Sequence, residues 1–424
     1  MIRSVEGDLL SAPSLEELRV CPDCGLINVL PPPRVGADTR CGRCAKLFRR
    51  ARRHSSTWVL ACALTAAVFY TIVLSAPFLE AMLYGRVRSS TLLTGIQTLG
   101  ENGLWVLASV VLITAIIMPL FRVGGLLIVF GGLHLRQPPR WIVPLFRSLK
   151  CTNNWSMVEI YLLGFLVAYT RLRSIVHVHV ETAVFALIGL VLSMVSISWA
   201  LDHETVWGDM RRKGLLNPSA QALPRRMIGC DICHQANAAT ALICVRCGHP
   251  AVHHRKPNSM GRTLALILAA FILYIPANTF PIMLITNLEH PHSYTILGGV
   301  REFIHAGLWP LALLVFTASI AVPLIKLVSL SLMLISTRHQ LPSFLRKLTG
   351  LYRFIDFVGR WSMIDIFMLS ILVGLIRFGD LTRITPAPGA LYFAAVVVLT
   401  MFAVSSFDPR LMWDAVAKEE PHER

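Results

Sequence analysis

Six apolar stretches, each long enough or nearly so to cross a bilayer, constrain this chain most: Thr57–Leu79, Leu104–Leu133, Val184–Leu201, Thr263–Ile285, Leu308–Ile335 and Gly389–Phe407. A spanning helix needs about 20 mostly apolar residues, because the hydrocarbon core offers backbone groups no partner but each other. Two shorter stretches, Met157–Tyr169 and Met363–Ile376, each follow a Trp-Ser pair. Fixed neighbours require an even number of crossings in each half, so eight spans are expected. Composition agrees, since 54% of the 424 residues are hydrophobic and 15% charged, against about 25% charged in a soluble domain. The same figures exclude a disordered chain. Ten cysteines are too sparse for a disulfide scaffold.

Lys and Arg outnumber Asp and Glu by 40 to 24, giving a net charge of +16. The excess is not scattered. Arg49, Arg50, Arg52 and Arg53 precede the first span; Arg136, Arg140, Arg147 and Lys150 follow the second. Arg211, Arg212, Lys213, Arg225 and Arg226 follow the fourth, and Arg338, Arg346, Lys347 and Arg353 lie between the sixth and seventh. The alternate loops, Tyr84–Gly103 and Thr286–Ala306, are nearly balanced. The positive-inside rule then places both termini and every basic loop in the cytoplasm. Met1–Val20 carries acidic residues and no apolar core, so it does not read as a signal peptide. The charge marks topology, and nucleic acid is not expected as a partner.

The two halves repeat. Thr91-Leu-Leu-Thr-Gly95 matches Thr295-Ile-Leu-Gly-Gly299 at an offset of 204, as do Gly103-Leu-Trp105 with Gly307-Leu-Trp309 and Pro119-Leu120 with Pro323-Leu324. Trp155-Ser-Met157 matches Trp361-Ser-Met363 at 206, as do Asp202 with Asp408 and Trp207 with Trp413. The expected fold is an α-helical polytopic membrane protein, a tandem duplication of a four-helix unit. Its parts are 1–56, a first ribbon; 57–214, four spans; 215–258, a second ribbon; and 259–424, four more spans. Four spans per unit make the repeats parallel rather than inverted.

Each unit follows paired cysteines: Cys21, Cys24, Cys41 and Cys44, then Cys230, Cys233, Cys244 and Cys247. Two-residue gaps put both thiolates of a turn on one face of a tetrahedral ion, so each set predicts a zinc ribbon with one structural Zn2+. Rubredoxin-like iron and a redox switch remain alternatives. Four thiolates leave no open position for catalysis. Cys62 and Cys151 fall outside the pattern and read as apolar fillers.

Ionisable groups at bilayer depth cost about 2.5–3.5 kcal/mol on insertion scales and usually face a bundle interior. Lys326, Ser319, Ser362, Asp365 and Thr400 can converge on one polar cluster in the second unit, with Lys326 and Asp365 as partners. The first unit holds Arg122 and Glu159 at the matching positions, but Ala115 and Met194 replace Ser319 and Thr400. Either pair also reads as a plain buried ion pair or as snorkelling side chains. Pro77, Pro119, Pro276, Pro281 and Pro323 interrupt helices, opening a groove or only bending them for packing. No GxxxxGK[ST], GxGxxG, HExxH or GxSxG motif supplies a nucleotide engine or a hydrolase, and no enzyme is expected.

Two cysteine modules, each ahead of four spans, resemble the paraquat-inducible protein A family from Cys21 to Asp414, its LetA branch most closely. The most specific stretches are Gly359-Arg-Trp-Ser-Met-Ile-Asp365 and Asp408-Pro-Arg-Leu-Met-Trp-Asp414. The resemblance implies an inner-membrane protein of Gram-negative bacteria that works with a periplasmic MCE-domain tunnel protein. It would move phospholipid between inner and outer membranes and support envelope integrity. It also implies transport roles for Ser319, Lys326, Ser362, Asp365 and Thr400, and zinc for the eight ribbon cysteines. On this reading a pocket of the second unit opens to the periplasmic leaflet and switches by protonation of Lys326 or Asp365, while the ribbons brace the units. A non-transporting anchor for the tunnel protein and a membrane-bound zinc or redox sensor are the rival readings.

Overall fold

The computed structural model describes residues 15–31, 36–50, 55–83, 86–152, 155–173, 177–216, 227–250, 255–287, 291–339, 344–375 and 382–417. Most of Met1–Val20, together with Arg52, Arg53, Tyr84, Arg225, Arg226, Ile376 and the Cys151 side chain, lies outside this description.

The first ribbon is two antiparallel hairpins, β1 (Leu18–Val20) with β2 (Ile27–Val29) and β3 (Asp38–Arg40) with β4 (Leu47–Arg50). The first membrane unit begins with α1 (Ser55–Ser75), β5 (Leu79–Leu83), β6 (Arg86–Ser90) and α2 (Leu92–Glu101). Then α3 (Trp105–Val111) runs through a π-helical stretch, Leu112–Ile117, into α4 (Met118–His134). There follow α5 (Ile142–Thr152), α6 (Val158–Arg173), β7 (His177–Val180), α7 (Thr182–Ala200) and α8 (His203–Arg212). The second ribbon contributes β8 (Met227–Gly229) and β9 (Ala236–Ala238).

The second unit repeats that order: α9 (Ser259–Thr279), β10 (Met283–Asn287), β11 (Pro291–Tyr294), α10 (Ile296–His305) and α11 (Trp309–Phe316). A second π-helical stretch, Thr317–Ala321, leads into α12 (Val322–His339), followed by α13 (Leu345–Val358). A 3-10 turn, Gly359–Met363, joins α13 to α14 (Ile364–Leu375), and β12 (Thr382–Pro386), α15 (Pro388–Ser406) and α16 (Arg410–Ala417) complete the unit. Each unit closes the end away from the ribbons with one antiparallel sheet, ordered β6-β5-β7 and β11-β10-β12. The two ends are called the ribbon side and the sheet side.

Among the described residues seven helices are long and apolar enough to cross a membrane, not eight. The sixteen-residue α6 falls short, and α14 reaches spanning length only in continuity with α13. Both are inner helices. Every residue of α14 except Gly374 is buried. Irregular backbone at membrane depth is tolerated where protein covers it, so neither helix needs the length of a lipid-facing span.

The duplication extends to details the residues alone do not announce. Both π-helical stretches sit just before a proline, Pro119 or Pro323. Proline removes an N–H from the helical ladder. In each unit a tyrosine from the first helix donates to a carbonyl of this irregular stretch, Tyr70 to Ile116 at 2.7 Å and Tyr274 to Ile320 at 3.2 Å.

The units meet on α14, which packs into a groove of the first unit between α2 and α6. Glycines set the spacing. A Cβ added at Gly95 would stand 2.5 Å from the Ser370 carbonyl oxygen, and one at Gly164 would stand 2.9 Å from Phe367 Cβ. Small residues of this kind let membrane helices approach closely. Valine at Gly95 or Gly164 is expected to cost about 1–3 kcal/mol by overpacking. The measurement is the thermal unfolding midpoint in detergent, where Gly124→Ala, with nothing within 4 Å, should show no loss. Equal midpoints for all three would contradict this seam.

Candidate functional site

Two candidate sites stand out, a pair of cysteine clusters and a buried lysine. In the clusters, Cys21–Cys44 and Cys24–Cys41 have Sγ separations of 3.5 and 3.6 Å, and Cys230–Cys247 and Cys233–Cys244 of 3.6 and 3.5 Å. All eight thiols are buried, and within each set they lie within 4.8 Å of one another. A tetrahedral ion with bonds of about 2.3 Å would set its sulfurs about 3.8 Å apart, so both sets can hold a metal ion. After the second cysteine of every knuckle, one N–H returns to the carbonyl of the first: Gly25 to Cys21, Ala45 to Cys41, His234 to Cys230 and Gly248 to Cys244. All four residues have positive φ, between 58° at Ala45 and 74° at Gly25. Glycine takes this turn freely, whereas Ala45 and His234 adopt it at a cost of about 1–2 kcal/mol.

The ribbons dock crosswise. The N-terminal ribbon sits on the second unit, where Arg353 of α13 donates to Asp23 at 2.6 Å and to the Cys44 carbonyl at 3.0 Å. Arg43 lies over the Trp413 ring, 4.1 Å from its centre. The second ribbon sits on the first unit, where Arg147, the repeat counterpart of Arg353, donates to the Gly248 carbonyl at 3.3 Å. Lys150 beside it donates to the Ile232 carbonyl and lies 2.9 Å from His234 Nε2. The ribbons also touch each other, with Leu15, Leu18 and Val20 packed on Ala236.

One carboxylate joins the three parts. Glu204 of α8 pairs with Arg19 of the first ribbon at 3.1 Å and with Arg246 of the second at 2.9 Å, all three buried. Arg19 also donates to Gln235 at 2.6 Å. Burial works against the Glu204 charge, yet the Arg246 and Arg19 guanidiniums outweigh it and hold the carboxyl below its usual range. Sequence reasoning missed this junction, because its members come from three distant segments, Arg19 and Gln235 alone being 216 residues apart, and only Arg246 lies inside a cysteine knuckle.

In the second unit the structure brings Lys326, Ser362 and Thr400 together. Lys326, 1% exposed, donates to Ser362 Oγ at 2.9 Å and to Thr400 Oγ1 at 3.3 Å. Gly359 makes room for the lysine stem, since a Cβ there would lie 2.8 Å from Lys326 Cε. The expected Lys326–Asp365 pair does not form. Asp365 lies one turn beyond Ser362, about 5 Å further toward the sheet side, and the charge facing it is Arg171 of α6. Asp365 and Ser319 are both buried and face each other, though neither makes a hydrogen bond of good geometry among the described residues. In the first unit Arg122 donates to Ser198 at 2.8 Å, and Glu159 stands within electrostatic reach but outside ion-pair distance. Cys62 is partly buried in a helix face, outside both cysteine clusters.

Lys326 also lines a cavity of about 120 Å³ between α13, α15 and the 3-10 turn. The expected opening to the leaflet across from the ribbons is not what this cavity has. Its wall includes Ser405 at the end of α15, whose carbonyl accepts from Lys256 next to the second ribbon, so the cavity lies in the ribbon half.

These features define a multi-pass membrane protein of two parallel four-helix repeats, clamped at one end by two ribbons that can each hold a metal ion, with a buried lysine cluster in the second repeat. The description "Paraquat-inducible protein A" matches residues 56–211 and 260–417, once per repeat, and the chain belongs to that family. It is 30% identical over 408 residues to the intermembrane transport protein PqiA of Escherichia coli (strain K12), covering 95% of this chain and 97% of the relative. It is also 30% identical over 396 residues to the lipophilic envelope-spanning tunnel protein A of the same strain, covering 93% and 91%. A probable intermembrane transport protein of Haemophilus influenzae is 25% identical over 420 residues, covering 97% and 99%. No solved structure matches.

Removing one partner of a buried ion pair typically costs about 3–5 kcal/mol, and Glu204→Gln should lower the unfolding midpoint accordingly. Asp38→Asn, which touches only the half-exposed Arg40 and Arg50, should change stability by less than about 1 kcal/mol. Crosswise docking gives a second expectation. Cys21→Ser combined with Cys24→Ser should halve the metal bound per chain, and protease cleavage should then appear in α13 and α16 of the second unit. Cleavage confined to the first unit would contradict the crossing.

Proposed function

We propose that this protein moves phospholipid between the two membranes of a Gram-negative envelope. On this reading it sits in the inner membrane with ribbons and termini in the cytoplasm, and exchanges lipid with a periplasmic MCE-domain tunnel protein. The observation that carries the reading is the Lys326 cluster. An ammonium held at bilayer depth by two hydroxyls, with no carboxylate in ion-pair distance among the described residues, is costly to keep. A protein that only anchors a partner has no use for it, whereas an anionic headgroup supplies the missing counter-charge. The relatives, named as intermembrane transport and tunnel proteins, support the same reading.

Zinc is the ion that best suits four buried thiolates in this geometry, one in each ribbon. The closed coordination favours a structural role over sensing. With no nucleotide-binding loop in the sequence, proton movement at Lys326 and at Asp365, acting as separate stations, is the proposed drive. The test is transfer of fluorescent phospholipid from liposomes holding the protein and its partner, with and without a pH gradient. Lys326→Met and Asp365→Asn should each cut transfer at least about tenfold, the loss of one charged contact, with partner binding intact. Arg122→Met should keep most of it. Full activity in both second-unit variants would overturn the proposal.

A further inference from the structure

We propose that the cavity beside Lys326 seats the phosphate of a phospholipid drawn from the ribbon-side leaflet, and that Arg360 captures that phosphate at the mouth. This rests on the phospholipid reading above and adds the side of entry and the residue that guards it. Position comes first. The cavity runs from buried Lys326 to Asp356 near the end of α13, Arg360 in the 3-10 turn and Ser405 at the end of α15. Asp356 and Ser405 are exposed. Arg353, one turn before Asp356, already touches the first ribbon. Ser259, at the start of α9, donates to the Ser406 carbonyl at 2.8 Å. The mouth is therefore at the ribbon-side end of the helices.

Charge comes second. Lys326 and Arg360 face one carboxylate, Asp356, across the cavity, and Arg122 of the first unit is within electrostatic reach of Arg360. An ammonium has three donors, and Lys326 uses two of them. Among the described residues nothing accepts a hydrogen bond from the Arg360 guanidinium, which stands over the Phe357 ring, 5.8 Å away, and within electrostatic reach of Asp356. An unused guanidinium is a bidentate phosphate ligand in waiting.

The rim is apolar. Phe357 is 59% and Phe402 44% exposed, and Phe402 lies 5.4 Å from the ring of Trp155, which reaches in from the first unit. A cavity of about 120 Å³ takes a phosphate and its immediate headgroup but not two acyl chains. The chains would remain in the leaflet along these aromatic rings.

The experiment uses the full-length protein. Native mass spectrometry in detergent would compare phosphatidylglycerol, diacylglycerol of the same chains and inorganic phosphate as probes. Phosphatidylglycerol should be retained, diacylglycerol should not, and millimolar inorganic phosphate should fail to displace the lipid. Arg360→Gln should weaken retention about tenfold, the worth of one lost charged contact, while Arg338→Gln leaves it unchanged. With a photoreactive benzoylphenylalanine in place of Phe402, labelled phosphatidylglycerol should crosslink from the ribbon-side leaflet of a vesicle. Displacement by inorganic phosphate, retention indifferent to Arg360→Gln, or crosslinking from the sheet-side leaflet alone would each overturn the proposal. The transport reading fails separately, when Lys326→Met leaves lipid transfer unchanged whatever Arg360→Gln does to retention.

Discussion

The contact on which the rest of the molecule depends is the burial of α14 against α2 and α6. Three glycines, Gly95, Gly164 and Gly374, bring helices of the two repeats to near-backbone contact. In lipid, apolar surface gives little drive for helices to associate, so close packing has to supply it. Once α14 is fixed, the 3-10 turn ahead of it fixes Ser362 and Gly359, and these in turn define where the Lys326 side chain lies. The polar cluster is thus an outcome of the seam between repeats, and not a property of the second repeat alone.

The ribbons complete a closed circuit. Each bridges to the unit it does not precede or to the one already finished, and Glu204 ties both to α8. A metal ion in either ribbon would stiffen a joint between repeats as well as a small β-fold. The second repeat ends in a matching arrangement, where Arg410 stands at the position of Glu204 and pairs with Asp408 at 2.9 Å and with Asp231 of the second ribbon at 3.0 Å. The duplicated frame keeps an ion-pair joint at this place while reversing the sign of its central charge.

Much of this was legible in the residues. Long apolar runs announce membrane helices, and the Trp-Ser pairs at Trp155 and Trp361 expose the repeat directly. Cysteine spacing fixes the two clusters because a tetrahedral ion permits little else. The convergence of Lys326 with Ser362 and Thr400 also followed from placing costly polar groups in an interior. Asp365 was misplaced as the lysine's partner, since nothing in Gly359–Met363 announces a 3-10 turn that carries the aspartate one turn onward. Length and hydropathy alone pick out seven spanning helices among the described residues, because α6, the remaining expected crossing, is short and shielded by protein, and hydropathy does not report shielding. The crosswise docking depends on pairs such as Arg353 with Asp23, separated by 330 residues, which no local pattern encodes.

The crossing of the ribbons also sets an order for assembly. The first ribbon leaves the ribosome before any membrane helix, yet Trp413 and Arg353, which receive it, are among the last parts made. At about 5–20 residues per second, its docking surface arrives only after an interval on the order of tens of seconds. Throughout that wait the thiols of Cys21, Cys24, Cys41 and Cys44 have no covering surface from the second unit. A metal ion captured early would let such a fragment keep its shape until the chain is finished.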